Sequence, residues 1–387
     1  MGPKHRRQMK IILFTFLFLS ALPNAQAVAI YPKELIEKTI EKANNQIALK
    51  PITVTASLCP RSAGGAHDFY SEGDYWWPDP ANPEGPYIQR DGETNPENFV
   101  AHRLAMIRFS DIVASLASAY KLSGQKRYAL AAIPHFRAWF IDPETRMNPS
   151  LLYAQAIKGK VTGRGIGIID TIHFLEVVKA LEALKSQISP EDYAACVAWF
   201  KEYTTWMTTH PYGLAERDAQ NNHGTCWALQ VAVFASFTGN AGLVDFCRKR
   251  YMQAFIPNQM AADGSFPLEL KRTKPYGYSL FNLDIMATLA HVLQVWDWKM
   301  PDGRGIQKGI QFLSPFIQDK SKWAYPADIM YFDQWPIAQP CLFFAGIHGD
   351  AAAMNTWKKL AHFPTNQEVI RNVPIRNPIL WHSYSNL

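Results

Sequence analysis

The stretch "NNHGTCWALQVAVFASFTGNAGLVDFC", residues 221–247, decides how the chain is read. Its middle is an apolar run of helical length, and a second helical pattern follows it within a few residues. Between them stands Gly239, placed where a helix closes through a left-handed residue. Helix, glycine, helix is a hairpin. The same design recurs in "ASAYKLSGQKRYALAA" (117–132) around Gly124 and in "LFFAGIHGDAAAMNTW" (342–357) around Gly349.

Working outward, amphipathic runs predict helices at about 100–122, 126–140, 168–186, 190–208, 223–238, 241–257, 279–297, 304–318 and 350–361. Few segments alternate as a half-buried strand would. Residues 51–98 are rich in Pro, Gly, Asp and aromatics and read as a long structured loop. Recurring helical hairpins imply an all-α fold, a solenoid or a closed α/α toroid. A secreted, aromatic-rich single chain favours the toroid, whose inner helix ends and long loops line a cleft.

Secretion is itself read from the start of the chain. "KHRRQMK" is a basic region, "IILFTFLFLSAL" an apolar one, and Ala25-Gln26-Ala27 the small-residue cleavage pattern. Residues 1–27 are expected to be a signal peptide, and 28–387 a single catalytic domain in the periplasm or outside the cell. The apolar run is too short for a usual span and no second one follows, so no membrane span is expected once the signal is removed. The signal holds four of the 39 Lys and Arg and no acid, leaving 35 cations against 33 acids. No dense basic patch suggests nucleic acid. Five cysteines lie far apart without zinc spacing, and one or two disulfides are open to them.

Two clusters carry chemistry. Asn221, Asn222 and His223 stand at a helix mouth, where one cap would explain one asparagine but not the set. "ADGSFPLELKRTKPYGYSLFNLD" (262–284) brings Glu269, Lys271, Arg272, Tyr276 and Tyr278 to the entry of another apolar helix. Arginine can fork onto a carboxylate, and a tyrosine beside a cation, which lowers its pKa, can exchange a proton. Removing a proton α to a carboxylate needs that carboxylate neutralised, a base, and an acid for the leaving oxygen. Asn, His, Arg and Tyr suffice for β-elimination of an acidic polysaccharide, with neither cofactor nor metal.

Together with "SEGDYWWPDPANPEGPYIQRDGETNPENF" (71–99) and "GRGIGIIDT" (163–171), these clusters resemble the alginate-lyase-like polysaccharide lyases, which are α/α toroids. The resemblance implies that Asn222 and Arg272 hold the uronate carboxylate and that Tyr278 protonates the leaving O4. Tyr278 or His223 would be the base. Tyr276 is a competitor for Tyr278, which is preferred because it directly precedes the "SLFNL" helix. The implied substrate is a β-1,4-linked anionic polysaccharide: alginate first, with glucuronan close behind.

Around these, Tyr153, Gln155, Arg164, Trp76, Trp77, Asn221, Glu269 and Tyr276 are candidate substrate contacts. Packing explains the tryptophans equally well. His102 reads as a core or lining histidine rather than a catalyst. Two other classes stay open. A glycoside hydrolase needs two carboxylates flanking the bond, for which Asp170, Glu269 and Asp284 are available. A non-catalytic glycan-binding protein would keep the aromatics but need neither His223 nor Tyr278.

Overall fold

The structure is a computed structural model that describes residues 30–382. The expected signal peptide lies outside them. Helices are α1 (Lys33–Gln46), α2 (Ala101–Ser123), α3 (Lys126–Phe140), α4 (Phe174–Leu184), α5 (Pro190–Thr209), α6 (Pro211–Arg217), α7 (Asn222–Phe237), α8 (Ala241–Arg250), α9 (Pro275–Val292), α10 (Ile306–Gln318), α11 (Pro340–Ile347), α12 (Ala351–Lys359) and α13 (Gln367–Asn372).

The glycine-closed hairpins form as read. Gly124, Gly239 and Gly349 have φ of +68°, +76° and +100°, between α2 and α3, α7 and α8, and α11 and α12. Asn240 and Asp350 cap the returning helices, accepting from the backbone N–H of Leu243 and Ala353. Helices α2, α4, α7, α9 and α11 pack in succession as an inner row, with α3, α5, α8, α10 and α12 outside. Helix α7 is buried on nearly every side, as an inner helix must be.

The two ends of the row are brought together by the ends of the described chain. Helix α1 packs on α2, and Tyr31 just before it lies against Phe343 and Trp357 of the last hairpin. From the other side, the Lys121 ammonium on α2 donates to the Ile379 carbonyl at 2.7 Å, and Trp381 packs on Phe344. The result is an α/α toroid. Much of the aromatic content packs between its layers: Phe109, Trp139, Phe140, Phe174, Trp199 and Phe200 form one contiguous cluster, mostly edge to face.

Several boundaries differ from expectation, for local reasons. The 168–186 helix is a 3-10 stretch, Gly165–His173, before α4. The 241–257 helix widens into a π-turn at Tyr251–Phe255, next to Pro257, which has no N–H to offer the ladder. Helix α9 begins at Pro275, where the fixed φ suits a first turn, so Tyr278 lies inside the helix and not before it. The 51–98 loop carries short strands. β1 (Tyr70–Glu72) pairs in parallel with β4 (Tyr153–Ala156), and β2 (Trp76–Trp77) pairs antiparallel with β3 (Ile88–Gln89). They lay the loop along one side of the inner helices. All five cysteines are free, so the disulfides left open by the sequence do not form.

Asp284, on α9, is fully buried and accepts only the Cys341 N–H at 2.9 Å and the neighbouring thiol. Burial pushes its carboxyl up to about 7 from 3.8. The folded state therefore keeps a proton that the unfolded chain releases, and stability falls as pH rises between those values. Asp284→Asn preserves an oxygen for Cys341 and removes the titration. Its melting temperature is expected to exceed that of the wild type at pH 8, by a stability gain of roughly 1–4 kcal/mol, and to match it near pH 4. An unchanged difference across that range would show that Asp284 is ionised in the fold.

Candidate active site

Two helix entrances and the 70–98 segment meet at a cleft of about 120 Å³. At the first entrance Asn221 is the cap: its side-chain oxygen accepts the His223 N–H and its carbonyl accepts from Gln259. Asn222 is almost wholly buried. Its backbone N–H donates to Glu269 Oε1 at 2.8 Å and its amide to Oε2 at 2.7 Å, leaving the second amide hydrogen toward the cleft. Both Glu269 oxygens are engaged and only 1% of the residue is exposed, so it orients Asn222 and is not the substrate contact expected of it.

His223 points Nδ1 at Glu216 Oε1, 2.6 Å away on α6. That bond fixes Nδ1–H and leaves Nε2 as the working nitrogen, an arrangement suited to a general base. Burial pulls the imidazole pKa down, but the Glu216 carboxylate outweighs it and, with the Glu269 charge, holds the pKa above its ordinary value. Glu216 is absent from the sequence reading. It precedes His223 by seven residues across a turn, and no periodicity relates the two.

Tyr278 is in the first turn of α9. Its oxygen is 2.8 Å from the Tyr75 hydroxyl and 3.4 Å from Arg272 Nη2, and the Arg272 guanidinium lies 4.4 Å from its ring centre. A neighbouring cation was expected to lower its pKa. The reverse holds: burial, reinforced by Tyr75, raises the phenol well above its usual range despite Arg272. Tyr278 is therefore a neutral phenol in the fold. Tyr276 is buried and donates to the Phe316 carbonyl at 3.1 Å, among Trp323 and Phe332, so it leaves the site to Tyr278.

Arg272 is braced by Asp91, through Nε at 3.2 Å and Nη2 at 2.7 Å, which leaves Nη1 for a ligand. Arg164, Gln155 and Trp76 line the same cleft. Gln155 has φ of +54°, a strained value for a side-chain-bearing residue. It is held there by Ser71 at its N–H, Arg164 at its carbonyl, and Asp74 and Asp170 at its amide. Trp77 lies outside the cleft, donating to the Glu93 carbonyl under Arg90, and Tyr153 is also outside it. Tyr75 and Arg371 line it without having been singled out. Arg371 comes from α13, where nothing in "NQEVIRN" marks it, and it clamps Asp74 at 2.7 Å opposite Arg103 at 2.8 Å. The cleft wall thus sets three arginines and a histidine against one fully paired acid.

The hydrolase candidates are spent elsewhere. Asp170 accepts from Ser71 and Gln155, Glu269 from Asn222, and Asp284 from Cys341, all buried. None of the three presents a free oxygen to the cleft.

An all-helical toroid with a carboxylate-oriented histidine, a neutral tyrosine and braced arginines in one cleft defines a polysaccharide lyase. The alginate lyase family profile matches residues 53–323, and the chain belongs to that family. A solved alginate lyase from Bacteroides ovatus is 30% identical, with a TM-score of 0.75 over 93% of this chain and all of that one. Alginate lyase A1-III from Sphingomonas species A1 is 13% identical and shares the fold, with a TM-score of 0.50 over 83% of this chain and 89% of its own. Among proteins with curated descriptions none matches the sequence.

The Glu216 contact has a direct readout. In Glu216→Gln the His223 pKa, followed by NMR of the imidazole, is expected to fall by about one unit or more, since an adjacent carboxylate shifts pKa values on that scale. An unchanged titration would mean that Glu216 does not set the state of His223.

Proposed function

We propose that the protein cleaves β-1,4-linked uronate polymers by β-elimination, with mannuronate-containing alginate as the preferred substrate. The observation that carries this reading is that a neutral Tyr278, a free His223 Nε2 and the unused edge of Arg272 share one cleft. The name of the Bacteroides ovatus relative supports alginate. Glucuronan, whose C5 proton and O4 also leave from one side, is the second reading. Residues 28–387 would act as one secreted or periplasmic domain.

In this mechanism Arg272 Nη1 and the free Asn222 amide hydrogen bind the carboxylate at C5, where negative charge grows as the proton leaves. His223 Nε2 takes the C5 proton. The electron pair forms the C4–C5 double bond, the C4–O4 bond breaks, and O4 departs with the Tyr278 proton. Burial keeps that proton on Tyr278 until the leaving oxygen needs it. Tyr75, Arg272 and Lys274, whose ammonium lies 5.7 Å from the Tyr278 ring, then stabilise the tyrosinate. A tyrosine acting as both base and acid would first have to lose its proton against the same burial. The environment therefore favours His223 as base.

The test is the ultraviolet absorbance of unsaturated uronate during incubation with polymannuronate, polyguluronate, glucuronan, polygalacturonate and hyaluronan. Absorbance is expected to rise on polymannuronate first, and kcat/KM to rise with pH as His223 loses its proton. Tyr278→Phe and His223→Ala should each lower kcat by about 10²–10⁴, the usual contribution of a positioned acid or base. Reducing ends without absorbance would identify a hydrolase, and binding alone a glycan-binding module.

A further inference from the structure

Beside the catalytic cleft lies a groove of about 640 Å³ that the mechanism leaves unused. Its floor is the β1–β4 pair, and one wall is a tight hairpin closed by the Ile157–Val161 bridge. The hairpin is pinned: Lys160 N–H donates to the Ile157 carbonyl at 2.9 Å, and Tyr87 N–H to the Lys158 carbonyl at 3.1 Å. It holds two exposed lysines, Lys158 and Lys160, over the groove.

The groove and the cleft share a boundary at Trp76. The Lys160 ammonium lies 5.4 Å from the Trp76 ring centre and the Arg164 guanidinium 5.7 Å, while Trp76 and Arg164 both line the cleft. Positive charge therefore continues from Arg272 and Arg371 through Arg164 to Lys160 and Lys158. The acid on the groove wall is neutralised in place. Glu72 is 6% exposed and bound by Arg61, the Tyr70 hydroxyl and the Phe99 N–H. Among the described residues Lys160 has no carboxylate within ion-pair distance, and Lys158 has only the highly exposed Glu84 at 3.7 Å, a contact of little worth. A basic surface without its own counter-charges, continuous with a site for a polyanion, is suited to more of that polyanion.

We propose that this groove binds further uronate units of the same polymer chain, with Lys158 and Lys160 meeting their carboxylates and Trp76 supporting a sugar face at the boundary. The proposal rests on the polyuronate reading above. It makes the enzyme favour long chains, since the units that extend beyond the cleft are the ones that meet the hairpin.

The test compares the wild type with the Lys158→Ala/Lys160→Ala double variant on mannuronate trimer, hexamer and polymer. For hexamer and polymer KM is expected to rise roughly three- to tenfold with kcat unchanged, the sum of two exposed charge contacts. Trimer kinetics should not move, and the salt dependence of KM on polymer should weaken. In parallel, calorimetry measures hexamer binding to Tyr278→Phe with and without the two lysines. An equal KM on all three substrates, or equal hexamer affinity in the two backgrounds, overturns the proposal. Hexamer binding that depends on the lysines, with no cleavage of any polyuronate by the wild type, would retain the groove and reject the lyase reading. Absence of both binding and cleavage rejects both.

Discussion

One buried carboxylate ties the site together. Glu269 receives the backbone N–H and the amide of Asn222, which fastens the start of α7 to the turn before α9. Three residues later that turn presents Arg272, whose N–H donates to the Glu269 carbonyl at 3.1 Å, and then Tyr278. Two helices of the inner row are thus registered against each other at the point where a sugar carboxylate would sit. The toroid supplies the helices, and Glu269 sets the distance between their working ends.

The same device recurs behind each functional group. Glu216 stands behind His223, Asp91 behind Arg272, and Asp74 between Arg103 and Arg371. Each carboxylate is spent on the back of its partner, so the free edges turned to the cleft belong to donors and to one imidazole nitrogen. Held in a buried setting, such groups need little reorganisation when charge develops on the substrate. Burial also separates the two titrating groups: it keeps Tyr278 protonated, while the Glu216 carboxylate raises the affinity of His223 for a proton.

The hairpins were legible because a left-handed closure singles out glycine, and Gly124, Gly239 and Gly349 stand where that closure occurs. The Asn-His and Arg-Tyr clusters were legible because each is contiguous in sequence. What brings them together was not. Tyr75, Asp91, Glu216 and Arg371 reach the site from three separate segments, one of them near the end of the described chain, and no local pattern marks a residue whose role is to touch a distant one. Glu269 was seen but given the wrong partner, since sequence does not say which way a carboxylate faces. The Tyr278 pKa was misread for a related reason: the neighbouring cation is visible in the sequence, and the burial that outweighs it is not. Tyr276 and Tyr278 are two residues apart on one helix and so point in different directions, which separates packing from chemistry once the start of α9 is fixed at Pro275.

The central claim is that His223 takes the proton and Tyr278 gives one, with Arg272 and Asn222 on the carboxylate between them. A crystal structure of Tyr278→Phe with a bound mannuronate tetramer tests it most directly. The account predicts the carboxylate against Arg272 Nη1 and the Asn222 amide, the C5 hydrogen facing His223 Nε2, and O4 facing position 278. A tetramer whose C5 hydrogen and O4 both face position 278, with the imidazole out of reach, would contradict it.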